Sequence, residues 1–318
     1  MRAEDIREVA VIGAGLMGEG IALNFAVAGL SVRVVDQDSD ILHQSLKRMD
    51  VHLQLLAEFG LLKDTPAVVQ SRIKSFLSID MDKAVKGSTF IVECIPEILA
   101  LKKELFSLLD DCESSTIISS NTSSFTISGM AKGMRTPGRV VGTHYFMPAH
   151  IVPLVEVHRG KDTRDDVINI TRQLMLRIGK KPVMVGKEVP GFIVNRIQAA
   201  IAREANYLIE QGVVTPEDFD MAALSSYGFR LASLGPLAQA DINGLDTVLR
   251  GNTHIYKTLC NATEPSPVIA DKVKKGELGL KSGRGYYDYR GKSKEQINEE
   301  IERNLLKQLI LFREREKS

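Results

Sequence analysis

The sequence has no tryptophan, and its 318 residues include only three cysteines and 6% aromatics. Cys94, Cys112 and Cys260 lie far apart and form no CxxC pair, which excludes a disulfide scaffold or a zinc ribbon and points to a reducing compartment. An excess of one charge is also lacking, because 41 Lys+Arg stand against 40 Asp+Glu. That balance gives no electrostatic handle for nucleic acid or an anionic membrane. No apolar run reaches the ~18 residues needed to span a bilayer. The opening MRAEDIREVAVIG passes directly into a strand pattern, so no targeting peptide is expected and a cytoplasmic location follows. What remains is ordinary globular composition, with a length that suits two domains.

Residues 8–12, EVAVI, read as a short apolar strand that breaks into Gly13, Gly15 and Gly18. A helical pattern follows from Glu19, then a second strand, SVRVV, ending at Asp36. Further strand-like runs occur at 89–94, 116–119, 140–143, 154–157 and 183–185. Strands alternating with helices predict an α/β fold, a Rossmann-type doubly wound, mainly parallel sheet. The text changes period after KEVPGF at 187–192. Residues 1–186 are therefore expected to form the nucleotide-binding domain, and 187–318 an all-helical domain for substrate and dimerisation. In the tail, Ile297, Ile301, Leu305 and Leu309 form an apolar helix face that needs a partner surface.

Gly13-Ala14-Gly15-Leu16-Met17-Gly18 matches GxGxxG between a strand and a helix, with an acid closing the next strand. Gly13 permits the turn, Gly15 lets backbone approach a pyrophosphate, and Gly18 lets the helix pack on the strand. Leu16 and Met17 belong to the same loop. Asp36 suits the ribose hydroxyls of NAD and repels the 2′-phosphate of NADP, and Gln37 beside it supplies no cation. FAD shares the fingerprint, but the second nucleotide-contacting region that flavoproteins of this type need is not found. Three of the six histidines, His144, His150 and His158, crowd residues 142–160. Nothing there has the HExxH spacing, so no metal is expected.

Five motifs, in order and over almost the whole chain, resemble the 3-hydroxyacyl-CoA dehydrogenase family. They are Glu93, Glu97 and Lys102; Ser120-Asn121-Thr122-Ser123; His144 to Pro148 with Leu154-Val155-Glu156-Val157; Pro190 to Arg196; and GLKSGRGYYDY at 279–289. The resemblance implies an NAD-dependent enzyme interconverting an L-3-hydroxyacyl substrate, such as 3-hydroxybutyryl-CoA, and its 3-keto form in fatty acid metabolism. It implies His144 as general base, Glu156 as the acid that orients it, and Ser123 and Asn195 as hydrogen-bonding groups for the reacting oxygen. Glu97, Lys102 and Asn121 are implied at the cofactor, and a homodimer through the second domain.

The chain also departs from that pattern. Met147 replaces the family's usual Asn, an amide that both donates and accepts. CoA-using members tend to place Ser and Lys on later turns of the helix after Asp36, near the CoA nucleotide; His52 and Phe59 stand there instead. Arg230 falls within YGFRLASLGP, similar to a Gly-x-Arg pattern in gulonate and carnitine dehydrogenases, which act on free acids. An arginine can grip a free carboxylate through two parallel hydrogen bonds, although a surface salt bridge is its plainer role. An acyl-CoA and a free small hydroxy acid are thus both open as substrates. A non-catalytic crystallin-like role is a third reading, against which the retained His144, Glu156, Ser123 and Asn195 argue.

Overall fold

The computed structural model describes residues 1–316. Eight strands form one sheet: β1 (Glu8–Ile12), β2 (Ser31–Asp36), β3 (Ile73–Leu77), β4 (Phe90–Glu93), β5 (Ile117–Ser120), β6 (Val140–Tyr145), β7 (Leu154–Arg159) and β8 (Lys181–Val185). Their order is β3-β2-β1-β4-β5-β6-β7-β8. Every pairing is parallel except β6 with β7. The central strands are apolar without alternation because both faces are covered. In β1, Val9 and Val11 enter one core cluster, and Ala10 and Ile12 the other. β3 is the strand that the sequence pattern did not reveal. It lies at the sheet edge with only Ile73 fully buried, so IKSFL lacks the apolar run of a central strand.

Helix α1 (Leu16–Val27) follows the glycine loop and α2 (Ser39–Glu58) follows β2. Nine of the twelve α1 residues are buried, so apolar residues occur around the whole helix, with Glu19 and Asn24 as buried polar exceptions. The Asp38 carboxylate starts α2 by accepting from the backbone N–H groups of Asp40 (2.8 Å) and Ile41 (3.3 Å).

The chain divides into two compact units, Met1–Ile193 joined by the tail from Ile301, and Val194–Glu300. The tail therefore departs from the expected grouping of 187–318. Its helix, Lys294–Arg315, buries Leu306 and Leu309 in the first unit's core, with Leu305 partly buried beside them. Ile301, which the periodicity placed on the apolar face, is exposed.

The second unit is helical, with Val194–Glu210, Pro216–Ala222, Pro236–Asn243, Leu245–Ile255 and Pro267–Lys274 as its main helices. Its GYYDY segment is tied inward by tyrosine hydroxyls. Tyr286 donates to Asn206, and Tyr287 to the Asp220 carboxylate (2.5 Å) and the Pro216 carbonyl (3.2 Å). Among the described residues no helix is long and apolar enough to cross a membrane.

Candidate active site

The glycine loop fits a dinucleotide for reasons visible in the backbone. Gly13 has φ +105°, and a Cβ on Gly18 would lie 1.8 Å from the Gly13 carbonyl oxygen. A side chain at Gly15 would meet only open space, leaving the N-terminal N–H groups of α1 accessible to a phosphate. Leu16 beside it is exposed, whereas Met17 packs against the core. Asp36 ends β2, its two oxygens accepting from Ala14 N–H (2.8 Å) and Asp38 N–H (3.1 Å). The carboxylate is thus fixed at the strand tip. Gln37 is exposed next to it. Arg33, the nearest arginine in sequence, is occupied elsewhere. Its guanidinium donates to the carbonyls of Lys83, Ala84 and Lys86 at 2.8, 3.2 and 2.6 Å and pairs with Glu8. Arg33 is therefore not free to hold a 2′-phosphate beside Asp36.

A buried charge network supports the loops after β4 and β5. Glu93 and Lys102 are both buried and joined at 2.5 Å. The other two Lys102 donors face Glu97 Oε2 (3.1 Å) and the Ile95 carbonyl (3.2 Å), which uses all three protons of the ammonium. Glu93 also accepts from the Ser120 hydroxyl (2.5 Å) and the Ile95 N–H (2.8 Å), although burial pushes its carboxyl up. Glu97 gathers the Thr122 hydroxyl (2.5 Å), the N–H groups of Ser123 and Ser124 (both 3.0 Å) and the Ser124 hydroxyl (2.7 Å). Partial burial opposes its charge, but these donors and Lys102 prevail and hold it down to about 2. Glu97, whose side chain stays 34% exposed, thus shapes the SNTS loop from the surface, with Lys102 buried behind it. Asn121 is turned the other way, accepting from the Tyr145 N–H (2.9 Å). The Ser123 hydroxyl has no protein partner among the described residues and is partly exposed.

His144 and Glu156 are direct cross-strand partners in the β6–β7 register. The antiparallel turn explains how residues twelve apart meet. His144 Nδ1 lies 2.8 Å from Glu156 Oε2, and Glu156 Oε1 accepts from the Ile193 N–H (3.0 Å). Both side chains are buried, and the His144 ring is packed against Phe146, with Phe192 beyond it. With Nδ1 held by the carboxylate, Nε2 is the nitrogen left for an exchangeable proton. His158, which the sequence placed among three crowded histidines but gave no role, lies beside this pair. Its ring stacks on Phe192 with centroids 3.6 Å apart, and its Nε2 is 3.9 Å from Glu156. Neither ring nitrogen has a hydrogen-bond partner. Burial pushes His158 down to about 4, so it stays neutral.

Met147 is exposed, so it makes none of the contacts of a buried amide. In the second unit, Asn195 lies at the start of the helix Val194–Glu210. Arg230 is on the short helix Phe229–Leu231 and is exposed, and among the described residues no carboxylate pairs with it. The salt-bridge role considered for it is therefore absent within that unit.

Comparison with known proteins identifies the family. The chain is 32% identical over 302 residues to the 5-formyl-3-hydroxy-2-methylpyridine 4-carboxylate 5-dehydrogenase of Mesorhizobium japonicum, covering 95% of this chain and 96% of that one. A solved structure of a dehydrogenase for this acid, described as an NAD+-dependent dismutase, matches with a TM-score of 0.87 at 31% identity, covering 97% and 98% of the two chains. A solved (S)-3-hydroxybutyryl-CoA dehydrogenase from Ralstonia eutropha matches with a TM-score of 0.72 at 33% identity, covering 90% of this chain and 99% of its own. The family model for the 3-hydroxyacyl-CoA dehydrogenase NAD-binding domain matches residues 8–189, and that for the C-terminal domain matches 191–289. The chain belongs to the 3-hydroxyacyl-CoA dehydrogenase family of NAD-dependent oxidoreductases.

Proposed function

We propose that this enzyme reversibly oxidises the secondary alcohol of a small free hydroxy acid, with His144 as general base. The observation that carries the free-acid reading is the tail helix on the later turns of α2. Arg303 donates twice to Glu58 (2.5 and 2.9 Å), Glu302 faces His52 at 3.0 Å, and Phe59 packs with Leu305 against the core. Those turns are where the resemblance places the CoA nucleotide in thioester-using members. Here they carry the protein's own helix. Two further facts support the reading. The relative named for a free pyridine carboxylate matches with a TM-score of 0.87, against 0.72 for the hydroxybutyryl-CoA dehydrogenase. Arg230 is an unpaired guanidinium of the kind that grips a carboxylate.

NAD, when bound, supplies the hydride acceptor. His144 Nε2 takes the hydroxyl proton, while Glu156 holds Nδ1–H and stabilises the imidazolium that results. Ser123 and Asn195 offer hydrogen bonds to the reacting oxygen. In the reverse direction the imidazolium returns the proton.

The reading is tested by following NADH formation with a panel of free hydroxy acids, aromatic ones included, beside 3-hydroxyacyl-CoA esters. Turnover of free acids is expected, and Arg230→Met should raise their KM by about a hundredfold with a smaller change in kcat. Turnover confined to CoA esters and indifferent to Arg230→Met would point to the thioester instead.

A further inference from the structure

The residues that fasten the tail helix form a second polar centre, made within the first unit and apart from His144. Glu302 comes from the tail, His52 from α2, and His150 from the loop between β6 and β7. Glu302 Oε2 lies 3.0 Å from His52 Nδ1 and 3.8 Å from His150 Nε2. The two imidazoles face each other with ring centroids 4.1 Å apart. One donor atom from each side chain lies within 4.8 Å of the others. Donors on a tetrahedral ion at about 2.0–2.1 Å stand roughly 3.4 Å apart, so this set needs only side-chain adjustment to close on one.

An outer carboxylate is already in place. Glu19 Oε1 is 3.8 Å from His52 Nε2, the nitrogen that would point away from the ion. Glu19 is itself buried and clamped by Arg48, whose Nε lies 3.0 and 2.8 Å from its two oxygens. A carboxylate behind a histidine, fixing its tautomer and raising its basicity, is the usual outer shell of a metal-binding imidazole. Arg48 neutralises Glu19, which leaves Glu302 as the charged group facing two imidazoles. All three ligands keep a small exposed fraction, and so an ion has a way in.

We propose that His52, His150 and Glu302 bind one zinc-class divalent ion, which pins the tail helix to the nucleotide-binding unit. Two imidazoles and a carboxylate suit Zn²⁺ or Co²⁺ and leave the fourth position for water, whereas Mg²⁺ and Ca²⁺ prefer oxygen alone. The sequence reading expected no metal because these ligands follow no motif; 98 and 152 residues separate them along the chain. The site is independent of the catalytic reading, since it uses none of the residues assigned to the reaction.

The test is zinc titration of untagged, metal-free full-length protein against a chromogenic chelator, with Co²⁺ as a spectroscopic stand-in. One ion per chain is expected, with the intense visible bands of four-coordinate Co²⁺ and a higher melting temperature. His52→Ala and Glu302→Gln should each weaken binding at least about a hundredfold, and Glu19→Gln by about ten- to a hundredfold. Far-UV circular dichroism establishes that each variant is folded. Absence of stoichiometric binding by the wild-type protein, leaving only a His52–Glu302 ion pair, would overturn the proposal. So would zinc binding that survives unchanged in folded His52→Ala and Glu302→Gln.

Discussion

His144 and Glu156 owe their contact to strand register, and their value to chemistry depends on which nitrogen the carboxylate occupies. Replacing His144 with Gln removes the base and should lower kcat by about 10²–10⁴ with little effect on NAD affinity. Glu156→Gln should give a comparable loss and shift the pH–rate profile, because the amide no longer stabilises an imidazolium. Near-normal turnover in either variant would remove the pair from the reaction. These residues were legible because family motifs carry them. His158 carried no such mark, since a buried neutral imidazole on a strand looks like any other histidine in text. Its folded value of about 4 lies below the ordinary ~6.5, so the unfolded chain takes up its proton first as pH falls. Its contribution to stability is therefore complete above about pH 6.5 and is lost as the pH drops towards 4. Melting curves across that window should show a shallower acid decline for His158→Phe than for wild type. Identical declines would show that acid sensitivity arises elsewhere.

Among the elements, the strands and helices of the βαβ unit could be read because their signals are local: an apolar run, three glycines, an acid at the strand tip. β3 escaped because an edge strand buries little. The tail helix was legible as a helix with an apolar face, but periodicity does not name the surface that the face meets. The face was right at Leu309 and in part at Leu305, but Leu306 is buried and Ile301 exposed. A mutation distinguishes the two assignments. Leu306→Ala should cost about 2–5 kcal/mol in chemical denaturation, the range for emptying a packed leucine site. Ile301→Ala should change stability far less. Equal costs would mean that the helix does not dock through Leu306.

For the whole molecule, the dimer expected from the sequence loses one of its grounds, because the tail already has its partner in the first unit. Beside the family resemblance, the ground that remains is the helical unit, where Phe229, Leu237, Ile242 and Leu249 are exposed in the single chain. Large apolar side chains exposed on the helices of one unit are the material of a subunit interface. A homodimer burying these helices is expected in sedimentation velocity at micromolar concentration, and a monomer mass would contradict it. Arg230 and Asn195 belong to this helical unit, and their roles were read from resemblance rather than from any local pattern. The return of the tail has a separate consequence for how the protein is made. The nucleotide-binding unit is begun before the helical one, yet two leucines of its core, Leu306 and Leu309, are translated only after all of Val194–Glu300. On the ribosome the unit begun first is completed last, and it waits with an open apolar seam while the helical unit emerges. A premature stop near residue 300 would thus spare every residue assigned to catalysis and still damage the domain that opens the chain.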